Sequence, residues 1–233
     1  MRLMLQCGHL QHKGPSMLEL AVKFLIAYFI GSVMGAMVMG RIKGGVDIRT
    51  MGSGNAGGTN ALRTQGWVFA LGVVIVDVGK GYVAAGLVPG LELPFAATDP
   101  RISRAWLTIS CAAAGVVGHV WPVWHGFRGG KGAATMVGSF LALSPWLVVP
   151  VILVWALVLT LSGYVGLSTM SAGIMAPVWV GLTRLPAEQP LFIYCVLLAA
   201  YLLYTHRSNI ARMRAGTEAR MTRVMIFGPR RAG

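Results

Sequence analysis

Gly132–Thr183 reads GAATMVGSFLALSPWLVVPVILVWALVLTLSGYVGLSTMSAGIMAPVWVGLT, 52 residues without one Asp, Glu, Lys, Arg or His. No core helix or strand of a water-soluble domain is that long, so the stretch has to be dissolved in lipid. Ser144-Pro145 and Ser162-Gly163 punctuate it and predict breaks at those points. Working outward, further charge-poor stretches lie at roughly 17–40, 66–88, 105–124 and 189–204. The whole chain of 233 residues agrees with them: it is 55% apolar and 12% charged, with a mean hydropathy of +0.67. A soluble domain carries about twice that share of charge, so a soluble fold is excluded.

Charge placement orients the spans. Of 20 Lys and Arg, thirteen fall in three segments. These are Arg41, Lys43, Arg49 and Arg63; then Arg128 and Lys131; then the tail with Arg207, Arg212, Arg214, Arg220, Arg223, Arg230 and Arg231. The excess of cations on cytoplasmic loops places these three segments inside and the N-terminus outside. The loop at Lys131 and the basic tail then share one side, so an even number of crossings separates them. The 189–204 stretch supplies one, and the long block supplies three. Three helices in 52 residues average about 17 each, roughly 26 Å, which is tight against a core of about 30 Å. The piece 132–143 is too short to cross alone and is expected to be shielded by its neighbours. The expected fold is therefore all-α: a polytopic membrane helix bundle of about seven spans, N-terminus out and C-terminus in. Residues 1–16 read as a tail, possibly non-native, with Met17 a natural start; they lack a signal peptide's apolar core. Residues 17–205 form the seven-span domain and 206–233 a basic cytoplasmic tail. From Met221 onward that tail is expected to be solvated and drawn to anionic lipid. Cys7, Cys111 and Cys195 make no disulfide framework, and the latter two read as small packed hydrophobes.

Two glycine-rich loops occupy the basic face. The first runs Met51-Gly52-Ser53-Gly54-Asn55-Ala56-Gly57-Gly58-Thr59-Asn60-Ala61-Leu62-Arg63, the second Gly126-Phe127-Arg128-Gly129-Gly130-Lys131-Gly132. Glycine permits positive φ and close approach of the backbone to a ligand, and successive N–H groups in such turns make a concave anion site. With hydroxyls, carboxamides, Arg63 and Lys131 added, the simplest guest of each loop is a phosphate-sized dianion. Gly52-x-Gly54-x-x-Gly57 with Asp77 twenty residues on imitates a dinucleotide fingerprint, but spans rather than a βαβ unit bracket it. The second loop is no Walker A, having His125 for its first glycine and Gly132 for its Ser/Thr. Asp77 and Lys80 read as an intramembrane ion pair at least as readily as catalytic groups, and Glu19 and Lys23 read the same way. His119 and His125 flank the second loop as packing groups or ligands, and His206, beside Arg207 and Asn209, is the histidine best placed for polar work. His9 and His12 read as tail residues. No histidine is followed by an acid five positions on, and Asp47 and Glu218 stand alone as acids among the basic segments, which disfavours a Mg²⁺-dependent phosphotransferase.

These residues resemble a known family. Gly45-Val46-Asp47-Ile48-Arg49, Gly52-Ser53-Gly54-Asn55, Thr59-Asn60 and Arg63 begin the likeness; Asp77, Lys80-Gly81, Gly118-His119, Pro122 and Gly126–Gly132 continue it. Tyr164-Val165-x-Leu167 and His206-Arg207-x-Asn209-Ile210 with Gly216-Thr217-Glu218 close it, in order from about residue 25 to 220. The run is similar to the bacterial acyl-phosphate:glycerol-3-phosphate acyltransferases (PlsY), although Ser208 stands where members often carry Glu. The resemblance implies a seven-span inner-membrane enzyme with its site on the cytoplasmic side. It would move a fatty acyl group from acyl phosphate to the 1-hydroxyl of sn-glycerol 3-phosphate, giving lysophosphatidate and phosphate. It further implies no cofactor or metal, no nucleic acid, the lipid bilayer as partner and a monomer. On that reading Ser53, Asn60, Arg63 and Lys131 are catalytic, while Gly52, Gly54, Asn55, Thr59, Gly129, Gly130, His206 and Asn209 bind substrate. Gly52–Asn60 and Gly129–Gly130 would cradle the acyl phosphate, and Arg63, His206 and Asn209 the glycerol phosphate, with Arg49 and Arg207 as further phosphate-facing cations. A transporter of a phosphorylated anion could use the same loops, but no two-fold repeat of broken helices is visible.

Overall fold

The computed structural model describes residues 17–96 and 98–227, so Cys7, His9, His12, Arg2, Lys13, Arg230 and Arg231 lie outside the described residues. Ten α-helices and no strand occur among them. They are α1 (Leu18–Gly31), α2 (Gly35–Ile42), α3 (Gly58–Gln65), α4 (Trp67–Gly86) and α5 (Arg104–Val120). There follow α6 (Ala133–Leu143), α7 (Val148–Ser162), α8 (Val165–Thr183), α9 (Gln189–Thr205) and α10 (Arg207–Arg214). Four helices are long and apolar enough to cross a membrane, or up to six if the bent pairs α1–α2 and α9–α10 each count once. The fold is that of an all-helical membrane protein.

The long apolar block divides where its punctuation predicts. Ser144 ends α6, and Gly163, with φ +74°, ends α7 by turning into the left-handed region that a side chain resists. The 11 residues of α6 make about 16 Å of helix, half of a bilayer core. It survives at that length because α4, α5 and α9 surround it. The α4–α6 contact is backbone against backbone: a Cβ on Gly138 would collide with the carbonyl of Val78, and one on Gly81 with that of Thr135. Without a hydrophobic driving force between helices in lipid, close approach of small residues supplies the packing.

Two features differ from the expectation. The first apolar stretch is not one straight span: α1 and α2 meet at 43° across Ser32–Met34. A break in lipid strands backbone groups, each costing several kcal/mol if left alone. Here the charges read as an intramembrane pair on α4 meet them. Asp77 Oδ1 accepts the Gly35 N–H at 3.1 Å, and Lys80 Nζ donates to the Val33 carbonyl at 2.6 Å and to Asp77 at 3.0 Å. At the other end of α1, Glu19 pairs with Lys23 at 2.8 Å as expected, but it also takes a two-pronged contact from Arg104 at 2.6 and 3.0 Å.

The tail is the second difference. After α10 the chain folds back instead of leaving the protein: the Met221 N–H donates to the Gly163 carbonyl at 2.8 Å and that of Ile226 to Thr160 at 3.0 Å. Arg220 lies 4.5 Å from the ring centre of Tyr164. Residues 217–226 thus form a strap whose backbone is tied to the α7–α8 turn, while most of its side chains from Thr222 onward stay exposed, so the end expected to be solvated is tethered rather than free. Cys111 and Cys195 are fully buried among apolar side chains, as packed hydrophobes should be.

Lys80→Met keeps the bulk of the side chain but leaves the Asp77 carboxylate buried without its cation and the Val33 carbonyl without a donor. Removing one member of a buried pair costs about 3–5 kcal/mol, so a large fall in the thermal unfolding midpoint in detergent micelles is expected. A midpoint equal to that of the parent would contradict this account of the break.

Candidate active site

The first glycine loop takes its shape from α3. Gly52 and Gly54 adopt φ of +56° and +69°, and a Cβ at Gly52 would run into the Asn60 side chain. That side chain, in the first turn of α3 and buried, holds the loop from within. Its Oδ1 accepts the Ser53 N–H at 2.9 Å, and its Nδ2 donates to the carbonyls of Ile48 at 2.9 Å and Met51 at 3.0 Å. Both amide hydrogens are committed, so Asn60, expected to be catalytic, positions the loop. Ser53 stands exposed on the crest. Arg49 is likewise engaged by the protein itself. It grips Asp47 at 2.8 Å, holding that carboxyl below the usual carboxylate range, and donates to the carbonyls of His125 at 3.2 Å and Arg128 at 3.3 Å, clamping one loop to the other.

The second loop departs further from expectation. Gly129 and Gly130 donate their N–H groups to the carbonyls of Val120 and His119, both at 3.2 Å, closing the C-terminus of α5. A Cβ at Gly129 would meet the His119 carbonyl, and one at Gly130 the His119 ring. Their absent side chains therefore permit packing, and their N–H groups are unavailable to an anion. The donors move two residues along: Gly132, at φ +93°, turns the chain into α6, whose first turn has no side-chain cap. The first loop does the same, because α3 begins after Gly57 with no side-chain cap. Uncapped helix N-termini carry unsatisfied N–H groups and the positive end of the helix dipole.

Both termini border one cleft of about 850 Å³. Of the expected residues, Gly52, Ser53, Asn55, Thr59, Asn60, Arg63, Lys131, His206 and Asn209 line it; Gly54, Gly129 and Gly130 do not. Thr59 contributes from the first turn of α3 and Asn55 from the loop leading into it. Across the cleft Lys131 Nζ donates to Asn209 Oδ1, Asn209 Nδ2 donates to Glu218 Oε1 at 2.7 Å, and Arg212 Nε to Glu218 Oε2 at 2.5 Å. Burial, and then the charge of Arg212, pushes the Lys131 ammonium down to about 8. His206 sits at the end of α9, and its Nδ1 lies 2.9 Å from the Leu202 carbonyl. A carbonyl only accepts, so Nδ1 carries the proton and Nε2 a lone pair. Burial and the charge of Lys131 lower His206 to about 4, so it is neutral near pH 7. Among the described residues the Arg63 guanidinium hydrogen-bonds only to the Ala219 carbonyl, at 3.5 Å. Arg207 turns away, its guanidinium 4.5 Å from the ring centre of Tyr204. Sequence reasoning gave Arg212 and Glu218 no place in the site, reading Arg212 as one of the basic segment's orienting charges and Glu218 as part of the closing motif; the signal was that Glu218 is the lone acid after residue 205.

The rest of the lining is apolar. Leu71 and Val74 come from the outer surface of α4, Ala133 and Ala134 from α6, and Trp155 and Leu159 from α7. The cleft thus joins a cationic, N–H-rich end to a wall that faces lipid.

Comparison with known proteins bears on that combination. The glycerol-3-phosphate acyltransferase family model matches residues 21–216. The chain belongs to the glycerol-3-phosphate acyltransferase family. Members include a protein of Chlorobaculum parvum, 35% identical over 227 residues, with 88% of this chain and 98% of the relative covered. Another, from Salinibacter ruber, is 36% identical over 218 residues, covering 88% and 94%. The chain is also similar to crystal structures of PlsY, an integral membrane glycerol 3-phosphate acyltransferase. For its glycerol 3-phosphate form the TM-score is 0.75 at 31% identity, with 87% of this chain and 95% of that chain covered. For the lysophosphatidic acid form the TM-score is 0.74.

The position of Lys131 in the cleft sets a pH dependence. In the free protein it is charged below about pH 8 and neutral above. A bound phosphate dianion favours the charged form, so binding is strongest below that pH and weakens as pH rises through it. We expect kcat/KM for a phosphorylated substrate to fall along an alkaline limb near pH 8, and Lys131→Arg to carry that limb upward. A limb that stays put in the Arg variant removes Lys131 from the site.

Proposed function

We propose that the cleft transfers a fatty acyl group from acyl phosphate to the 1-hydroxyl of sn-glycerol 3-phosphate, giving lysophosphatidate and inorganic phosphate. The observation that carries the reading is the pairing of two uncapped helix N-termini, each beside a cation with no carboxylate partner among the described residues, with a lipid-facing apolar wall. Two phosphates and one acyl chain are what such a cleft is shaped to receive.

In this reading the acyl chain lies along Leu71, Val74, Trp155 and Leu159 while its phosphate meets the first turn of α6 and Lys131. Arg63 and the first turn of α3 hold the glycerol phosphate, with Asn55 and Thr59 as further donors; Arg63 is able to grip it with two parallel N–H bonds. The Nε2 lone pair of neutral His206 accepts from the 2-hydroxyl of glycerol 3-phosphate and so orients the molecule, leaving the hydrogen of the attacking 1-hydroxyl free. The hydroxyl oxygen attacks the acyl carbon, an ester bond forms, the bond from acyl carbon to phosphate oxygen breaks, and the hydroxyl proton leaves on phosphate. Acyl phosphate is already activated, so proximity and preorganised donors account for most of the rate. Ser53 serves as a donor on the loop crest. The same reading takes the protein to be a monomer with seven crossings, N-terminus out, in a bacterial inner membrane, and its cleft to open on the cytoplasmic face.

Purified protein given acyl phosphate and labelled glycerol 3-phosphate, without acyl-CoA, is expected to produce labelled lysophosphatidate. Arg63→Ala and Lys131→Ala should each lower turnover by about 100-fold or more, the scale of losing a charged transition-state contact. No product, together with labelled substrate crossing vesicle membranes, would instead identify a transporter.

A further inference from the structure

Among the buried charges, one cluster does more than close the break between α1 and α2. His119, in the last turn of α5, is 2% exposed, yet it and Asp77 both line the cleft. Its Nδ1 lies 2.8 Å from Lys80 Nζ and 3.4 Å from Asp77 Oδ1. An ammonium has three hydrogens and no lone pair. Lys80 has three acceptors within reach: the Val33 carbonyl at 2.6 Å, His119 Nδ1 at 2.8 Å and Asp77 Oδ1 at 3.0 Å. One hydrogen goes to each. Nδ1 must then offer its lone pair, and in a neutral imidazole the proton is left on Nε2. That nitrogen lies on the side of the ring turned to Gly130, where a Cβ would strike Nε2 and Cε1, one residue before Lys131. Nε2 forms no hydrogen bond to any described residue.

We propose that His119 is a catalytic donor of this site, and that its Nε2–H, fixed in that tautomer by Lys80, binds a phosphoryl oxygen of the substrate in the cleft. The proposal rests on the reading of the cleft as a site for two phosphorylated substrates, and it adds a third donor to the α6 end beside Lys131 and the helix N-terminus. Lys80 and Asp77 are positioning residues: they touch the ring, not the substrate. The glycine at 130 acquires a further reason, since only a residue without Cβ lets the ring lie against the loop.

Two substitutions separate donor from scaffold. His119→Asn places an amide oxygen where Nδ1 stood, keeping the acceptor for Lys80, but has nothing at Nε2. His119→Gln places an N–H near Nε2 and gives up the acceptor. If His119 donates to substrate, His119→Asn keeps a thermal midpoint close to the parent's while turnover falls about 100-fold, and His119→Gln retains more activity than His119→Asn despite a lower midpoint. The opposite ranking, with His119→Asn fully active, overturns the proposal. A measurement on the unsubstituted protein covers the case in which a variant does not fold. With ¹⁵N-labelled histidine, the His119 ring is expected to show the Nε2–H tautomer, and its Nε2 signal to shift on binding a phosphoryl group. Glycerol 3-phosphate, inorganic phosphate and a non-hydrolysable acyl phosphonate, added separately, distinguish which phosphate it meets. An Nδ1–H ring, or an Nε2 signal unmoved by all three, refutes the assignment. If the parent protein makes lysophosphatidate while the ring stays silent, this inference alone fails; if it makes none, the functional reading fails first.

Discussion

Everything on the cleft side depends on one debt incurred inside the bilayer: a helix that breaks there exposes peptide groups that no water can satisfy. The break between α1 and α2 is tolerated because Asp77 and Lys80 of α4 supply an acceptor for Gly35 and a donor for Val33. A single Asp or Lys in that position would itself be unaffordable; as a pair they neutralise each other at 3.0 Å while completing the backbone. The same Lys80 reaches His119 on α5. Three elements are therefore locked at one point. The first glycine loop leaves from α2 and the second from α5, so the cluster fixes the roots of both.

Above the roots, the loops are held by groups that look functional and by functional groups that look structural. Asn60 spends its amide on Ser53, Ile48 and Met51, and Arg49 spends its guanidinium on Asp47 and the carbonyls of the other loop. Glycine is similarly divided. Gly52 is needed for a left-handed turn, whereas Gly129 and Gly130 are needed because α5 passes too close for a side chain. What remains for an anion is the plain backbone of two helix starts. On the proposed reading the anions meet peptide N–H groups, whose direction depends on neighbours committed to the loops themselves.

Much of this was legible from residues alone. A 52-residue run without charge has one physical interpretation, and its Ser-Pro and Ser-Gly punctuation predicted the ends of α6 and α7. The two loops, Arg63, Lys131, His206 and Asn209 could be found because glycine clusters beside cations on one membrane face have few other uses. The break in the first span was not legible. No proline marks Ser32–Met34, and the residues that permit it, Asp77 and Lys80, lie more than forty positions away. Gly129 and Gly130 misled for the converse reason: a glycine admitting an anion and a glycine admitting a neighbouring helix have the same side chain. The pairing of Arg212 with Glu218 was not legible, because a run of arginines on the basic face reads as orienting charge unless the burial of Glu218 among them is known.

That burial bears on how the fold selects its working charges. In a cleft walled by lipid-facing residues the dielectric is low, and a cation left without an anion is costly. Arg49 is matched with Asp47, Arg212 with Glu218, and Arg207 with the face of Tyr204. Two cations on the cleft have no carboxylate within reach among the described residues. Arg63 has a peptide carbonyl, and Lys131 a neutral carboxamide that keeps it in place without neutralising it. The depressed Lys131, charged only below about pH 8, registers the cost. Binding a phosphate relieves it. On the proposed reading, a substrate carrying the missing anion is recognised by the deficit the fold leaves unfilled, and its departure as free phosphate restores that deficit for the next turnover.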